Sequence, residues 1–379
     1  MTYYAVHLTS VHYAFDTRIF HRECQSLALA GYDVTLIAPH ADGDLKLKGV
    51  NVRAIRPPRD RRERLTSTIW AVYRAAVREN ADIYHFHDPE LLLIGLLLKL
   101  RGKKVIYDVH EDYKRTMDGK QWLPSFLHGP AAFAVRVCET AMGRGCDRII
   151  VVTPTIARNF SPKQTRLVQN YPLLDELYSQ NALAYEQREP IAIFVGWLGD
   201  YSGIESMRIA IELAAREFPM RLLIAGKLKP GALATYDESN TNKMIDHLGF
   251  LSRPQVAELI AKARMGLVTI LPLDCYIDAQ PTKMFEYMSG GLPVIASDFP
   301  VYRKIIEAAE CGLVVDPLNP AAIAEAILWL MRNPSRAAEM GRNGRRAVVE
   351  KFNWESEAKI LVSIYEELLP PRPPLTAQL

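Results

Sequence analysis

Along nearly its whole length the chain alternates short apolar runs, bounded by turn residues, with amphipathic stretches of helical length. No other feature constrains the fold as much. Ala5–Leu8, Val34–Ala38, Ile83–Phe86, Lys104–Val109 and Arg148–Val152 read as buried strands, and Arg18–Ala30, Ser67–Glu79 and Pro89–Leu100 as the helices between them. Gly31 and Gly102 stand just past two of these helices, where a left-handed C-cap favours glycine. Strands separated by helices pair in parallel, with helices covering both faces of the sheet. Residues 171–190 break the pattern: they are polar, flanked by prolines and without sustained periodicity, and they read as a linker. The alternation then restarts with strands at Ile191–Val195, Arg221–Ala225, Met265–Ile270 and Leu292–Ala296. Three helical patterns follow, Pro320–Arg332, Pro334–Glu350 and Trp354–Leu369, ahead of a proline-rich tail. The prediction is an α/β chain of two Rossmann-like domains, residues 1–170 and 191–353.

Composition excludes several classes. The net charge is only +3, and the five cysteines are scattered, odd in number and never in CxxC spacing. That argues against a disulfide framework or a zinc ribbon and fits a reducing compartment. The most apolar run, Leu91–Leu98, is eight residues long, too short to span a bilayer. With no basic, apolar leader at Met1, the chain reads as cytoplasmic. Charge separates between the halves: residues 1–170 carry 25 basic and 17 acidic residues, net +8, and the remainder is net −5. Part of the excess is one cluster, Arg56–Arg64. It reads either as a solvated loop leading into a helix or as a surface for an anionic lipid or anionic acceptor. Nucleic acid is disfavoured, because no aromatics interleave the basic residues.

In open parallel sheets, ligands bind beyond the carboxyl ends of the strands, so polar residues there are the candidates. Gly196-Trp197-Leu-Gly-Asp-Tyr-Ser202-Gly203 follows one strand and precedes a helix. Its glycines allow close approach of backbone to a ligand, and the helix start offers N–H groups to a phosphate. The segment Asp278–Pro300 is more telling. A helix starting near Thr282 and ending at Gly290-Gly291 carries Lys283 in its first turn and Glu286 one turn on. Lysine opposes the macrodipole at a helix start, and a bound anion such as a diphosphate gives it a reason to be there. A carboxylate at Glu286 suits ribose hydroxyls, and a surface Lys–Glu pair is the structural alternative. His85, His87 and Asp88 could suggest a metal, but two ligands on a strand without a third at defined spacing read as no metal site.

On these residues the chain resembles the retaining, nucleotide-sugar-dependent glycosyltransferases of the GT-B fold, family 4. The family's Glu-x7-Glu pattern falls on Asp278 and Glu286, the first position shortened by one methylene, ahead of Gly291-Leu-Pro-Val-Ile-Ala. The resemblance implies two Rossmann-like domains with a cleft between them and a C-terminal helix, about 354–369, crossing back to the first. It implies that Glu286 binds the donor ribose, that Asp278 approaches the sugar, and that backbone N–H groups near Thr282 and Lys283 hold the diphosphate. Gly249, Phe250 and Leu251 match the strand-Gly-x loop that lines the base, and Leu223–Lys227 matches a turn facing the phosphates. His110, after Lys104–Val109, falls where the family places a histidine near the donor sugar. Asp16 and Arg18 match a His-x3-Asp-x-Arg subgroup pattern and, with His87, Glu111 and Asp112, are expected to face the acceptor or the cleft. Arg18 alternatively pairs with Glu23 or a neighbouring carboxylate.

One departure concerns charge. The family usually carries an arginine and a lysine where Trp197 and Ser202 stand. Lys283 and Lys227, with Arg303 a weaker third, are the cations expected in their place. The expected activity is metal-independent transfer of a hexose-type sugar from a UDP- or GDP-sugar to a hydroxyl acceptor, with retention and without a cofactor. The expected setting is bacterial cell-surface polysaccharide or glycolipid assembly on a lipid-linked saccharide, peripheral to the inner face of an anionic membrane. The alternatives are a non-catalytic GT-B binding subunit and a nucleotide-sugar epimerase on the same fold. A dinucleotide oxidoreductase is disfavoured, since neither half carries GxGxxG followed by an acidic residue about 20 positions on.

Overall fold

A computed structural model describes residues 2–112, 137, 139–178, 183–199, 201–228 and 244–370. Asp200, Cys138 and the tail beyond Pro370 lie outside them. The chain divides into two compact units, Met1–Asn170 with Ser356–Leu379, and Tyr171–Glu355.

The first unit is built on an eight-stranded sheet. Its strands are β1 (Tyr4–Leu8), β2 (Asp33–Pro39), β3 (Leu45–Leu47), β4 (Val50–Ile55), β5 (Ile83–Phe86), β6 (Lys104–Val109), β7 (Arg148–Val151) and β8 (Thr165–Leu167), in the order β3-β4-β2-β1-β5-β6-β7-β8. All pairings are parallel except the β3–β4 hairpin at the edge. Gly31 and Gly102 adopt φ of +84° and +79°, the left-handed caps expected of them. The first helix differs from its even pattern. It opens as a wide turn over Ile19–Cys24, in which Glu23 N–H donates to the Arg18 carbonyl five residues back, and narrows to an α-helix at Gln25–Leu29. The wide turn brings Arg18, Arg22 and Glu23 inward together, and all three are buried.

The second unit has six parallel strands. These are β9 (Ile191–Val195), β10 (Arg221–Ala225), β11 (Ile245–His247), β12 (Met265–Val268), β13 (Val294–Ser297) and β14 (Gly312–Val315), in the order β11-β10-β9-β12-β13-β14. This is the doubly wound order with its switch point between β9 and β12; in the first unit the switch lies between β1 and β5. Residues 171–190 correct the linker expectation. Tyr171, Leu177 and Tyr185 are buried in this unit, the Tyr171 ring lying edge-on 4.8 Å from Phe285. Their apolar side chains are spaced for no regular element, so periodicity could not reveal that they pack. The helix Trp354–Leu368 returns the chain to the first unit from Ser356 onward, where Glu357 accepts the Gln169 N–H. No helix among the described residues is long and apolar enough to cross a membrane.

Candidate active site

In the second unit, residues beyond the strand ends are stitched together by backbone. Gly196 N–H donates to the Ala225 carbonyl (2.8 Å), Leu198 N–H to Lys227 (3.0 Å), and Gly226 N–H to Gly249 (2.8 Å). Gly226 has φ of +144°, and a Cβ there would lie 1.8 Å from the Gly196 carbonyl oxygen. Glycine is therefore required for the loops after β9 and β10 to touch. Gly226→Ala is expected to lower stability by about 1–3 kcal/mol through overpacking, measured as a shift in the urea midpoint at unchanged slope.

The helix Thr282–Ser289 comes up beneath these loops, and Lys283 through Ser289 are all buried. Gly266 on β12 leaves room for the Tyr287 ring, since a Cβ at that position would meet the ring at 2.2 Å. The Tyr287 hydroxyl accepts the Val195 N–H (2.7 Å), pinning the end of β9 where Gly196 begins. Lys283 follows from this placement. Its Nζ lies 3.7 Å from the centroid of the Phe194 ring, and 3.1 Å from where a Gly196 Cβ would stand. Among the described residues the ammonium has no hydrogen-bond partner. Burial pushes its pKa down to about 7, with Glu286 partly opposing. An unpaired buried cation beside glycine backbone at a helix start is poised for an anion.

Glu286 is also buried, and it accepts from Arg253 Nη1 at 2.9 Å. Arg253 in turn makes two hydrogen bonds to Glu176, at 2.9 and 2.7 Å. Sequence reasoning missed Arg253, although its position just after the N-cap Ser252 carries the same signal as Lys283: a cation at the positive end of a helix. Thr282 and Asp278 are half-buried, Asp278 ending the short helix Asp274–Ile277. Phe250 is 71% exposed and Trp197 51%. Lys227 lies 5.8 Å over the Phe250 ring, Gly249 has open space at its Cβ position, and Leu251 packs partly against the core. Arg303 is committed elsewhere, to Asp298 and Glu307. Ser202 is fully buried and donates to the Gly199 carbonyl.

In the first unit the polar strand ends converge on Asp108. Its carboxylate accepts from Arg18 Nε (3.0 Å) and Nη2 (3.1 Å), from His110 Nε2 (2.8 Å) and from His87 Nδ1 (3.2 Å). Burial raises its pKa, but Arg18 and His110 outweigh that and hold the carboxyl well below its usual range. The contact with Asp108 orients the partly exposed His110 ring. Two expectations need correction here. Arg18 and His87 are enclosed, so neither side chain faces an acceptor. Arg18 instead bridges Asp108 and Glu23, and His87 lies between His7 and Asp108. The register of β1, β5 and β6 turned His87 inward, and the wide turn at Ile19–Cys24 turned Arg18 inward. Asp16 accepts from the Arg18 and Ile19 N–H groups at the helix start, with His12 3.4 Å away. Glu111 is exposed and Asp112 half-buried. Beside Asp88, which fixes Thr9 and Ser10, a cavity of 430 Å³ is lined by Ser10, Val11, Pro58, Asp60, Arg61 and Arg64. The basic cluster thus contributes two arginines to a concave site, while Arg56 pairs with Glu63.

Two doubly wound units, one with a buried cation and carboxylate on a single helix beyond its strand ends, define a protein of the GT-B class. Residues 178–347 match the family model for glycosyl transferases group 1, and residues 17–165 that for glycosyltransferase family 4. The chain belongs to the group 1 glycosyltransferases of the GT-B fold. A D-rhamnosyltransferase of Pseudomonas aeruginosa is 26% identical over 290 residues, 72% of this chain and 70% of its own length. A GDP-mannose:cellobiosyl-diphosphopolyprenol α-mannosyltransferase of Xanthomonas campestris is 20% identical over 289 residues, 73% and 71% respectively. Sucrose-phosphate synthase of Thermosynechococcus elongatus superposes with a TM-score of 0.76 at 20% identity, covering 97% of this chain and 99% of that one. The group 1 glycosyltransferase family and the two Rossmann-like α/β units implied by the resemblance are thereby established.

Proposed function

We propose that this glycosyltransferase moves a sugar from a nucleoside diphosphate sugar to a hydroxyl acceptor, with retention at the anomeric carbon. The observation that carries this reading is Lys283, buried and without a hydrogen-bond partner among the described residues, beside Gly196 at the start of its helix. A diphosphate placed there meets the ammonium and the N–H groups of Thr282 and Lys283 at the helix start. Negative charge grows on that diphosphate as the glycosidic bond breaks, so these groups stabilise the transition state more than the ground state. Neutralisation is thus assigned to Lys283 and N–H donors, with Lys227 the nearby exposed cation, in place of the missing pair at Trp197 and Ser202. Glu286, held by Arg253, is assigned to the ribose hydroxyls, Phe250 to the face of the base, and Asp278 to the sugar. In the first unit, His110 is assigned to a sugar hydroxyl, and Glu111 and Asp112 to the acceptor. With no protein nucleophile assigned, the departing phosphate oxygen takes the acceptor proton as the acceptor attacks from the same face. The anionic part of a lipid-linked acceptor is assigned to the cavity bearing Arg61 and Arg64, whose charge Asp60 and Glu90 offset in part, and the printed substrate of the Xanthomonas relative is of that chemistry.

A second reading, a binding subunit without turnover, draws support from the buried Ser202 where a cation is usual. Calorimetry with UDP, GDP, ADP and their sugars separates the two. One nucleotide is expected to bind selectively, with affinity at least tenfold weaker in Glu286→Ala, and the matching nucleotide-sugar is consumed only when acceptor is present. Binding without consumption supports the subunit reading, and consumption without acceptor supports an epimerase.

A further inference from the structure

We propose that the first unit holds a buried divalent transition-metal ion, zinc by its ligand chemistry, on His7, His87, Glu23 and His85. β1 and β5 are neighbours, and their register sets His7 beside His85. His87 follows two residues on, on the same face as His85, so three imidazoles share one side of the sheet. The wide turn at Ile19–Cys24 delivers Glu23 to the same place. All four side chains are fully buried.

For three of the four ligand atoms the spacing suits a coordination shell, His7 Nδ1 and His87 Nε2 being at hydrogen-bond distance from each other. His7 Nδ1 and His87 Nε2 are 3.0 Å apart, and Glu23 Oε2 lies 3.8 Å from each. A triangle with those edges has a centre about 2.1 Å from every corner, within the ~2.0–2.2 Å of zinc to nitrogen and oxygen ligands. The His85 ring lies 4.5 Å from that of His7 and 4.7 Å from that of His87, and one ligand atom from each of the four residues fits within 4.8 Å of the others. The outer shell is in place as well. His87 Nδ1 faces Asp108 and His7 Nε2 faces the Tyr365 hydroxyl, partners that fix which nitrogen of each ring is presented inward.

Polar atoms left without partners point the same way. Among the described residues neither Nε2 of His85 nor Oε2 of Glu23 has a hydrogen bond by distance and angle, although the Glu23 carboxyl also interacts with Asp108. Buried groups of this kind are destabilising unless something meets them. Arg18 Nε, 3.0 Å from Oε1 of Glu23, answers only the outer oxygen and leaves Oε2 toward the rings. A second grouping, His87 with Asp108 and His110, is less apt, because Asp108 is already held by both arms of the Arg18 guanidinium. Three imidazoles and a carboxylate suit zinc, and four protein ligands without an open position make the site structural.

The test uses the full chain, purified from zinc-supplemented cells and dialysed against chelator. The expected result is one zinc per chain, and an intense tetrahedral visible spectrum when cobalt replaces zinc during growth. Glu23→Gln and His87→Gln are each expected to lower retained metal at least tenfold, whereas His247→Gln, on the other unit, retains it. Folded wild-type protein with less than a tenth of an equivalent of metal and no tetrahedral cobalt spectrum overturns the proposal, as does full retention in both site variants. If the site variants fail to fold, the wild-type metal content and cobalt spectrum decide alone.

Discussion

Replacing Lys283 by methionine is expected to stabilise the second unit while lowering sugar transfer about 10²–10³-fold, the effect of removing one preorganised group from a developing anion. The two effects have one cause. The ammonium is buried against Phe194 with no hydrogen-bond partner among the described residues, and the ring face compensates it only in part. Methionine fills a similar volume without the charge, which removes an unpaired-group cost of about 1–3 kcal/mol. Burial lowers the pKa of Lys283 from 10.5 to about 7 in the folded chain. Between those values the unfolded chain holds a proton that the folded chain lacks, so stability rises with pH across that window. Below about pH 7 both states are charged and the full penalty stands. Urea midpoints of the wild type should therefore climb from pH 7 to pH 9.5, and those of Lys283→Met should climb less. Diphosphate binding restores the charge, so calorimetry at pH 8 in buffers of different ionisation enthalpy should report proton uptake that the variant lacks. A variant both less stable and fully active would remove Lys283 from the site.

Asp108→Asn is expected to cost the first unit about 3–5 kcal/mol, the loss found when one partner of a buried ion pair is neutralised. The substitution keeps shape and opens no cavity, so the loss isolates charge. Arg18 then has only Glu23 and the charge of Asp16 to answer it, and a single neutral carbonyl oxygen, beside an NH2 group, replaces the carboxylate that holds His110 and His87. Hydrogen exchange on β1, β5 and β6 is the direct measurement, because it reads the first unit without assuming that both units unfold together. Unchanged protection on those strands would show that the Asp108 network contributes little.

Much of the architecture is legible in the local pattern. The strand–helix alternation, the left-handed caps at Gly31 and Gly102 and the bounds of the helix at Thr282 all follow from the character of neighbouring residues. Lys283 and Glu286 are legible for a related reason: a cation at a helix start opposes the macrodipole, and that conflict shows in the sequence. The short strands β3 and β8 are not legible, because three residues are too few to establish a period. Neither is the packing of residues 171–190, whose apolar side chains follow no period at all.

Which polar groups meet which is another matter. His7, Glu23, His87, Asp108 and Tyr365 are polar or aromatic residues drawn from separate elements, and nothing in their spacing announces a cluster. The parallel register of β1, β5 and β6 aligns the histidines with Asp108, and the C-terminal helix brings Tyr365 from some 280 residues beyond His85. The same register carried His87 inward and the wide turn at Ile19–Cys24 carried Arg18 inward, where a strand-end position alone had placed both at the surface. Arg253 reached Glu286 because β11 and the helix Arg253–Lys262 set it there. Sequence periodicity determines which face of an element is apolar. Only the pairing of distant strands decides which charged groups share the low-dielectric interior and so must answer one another.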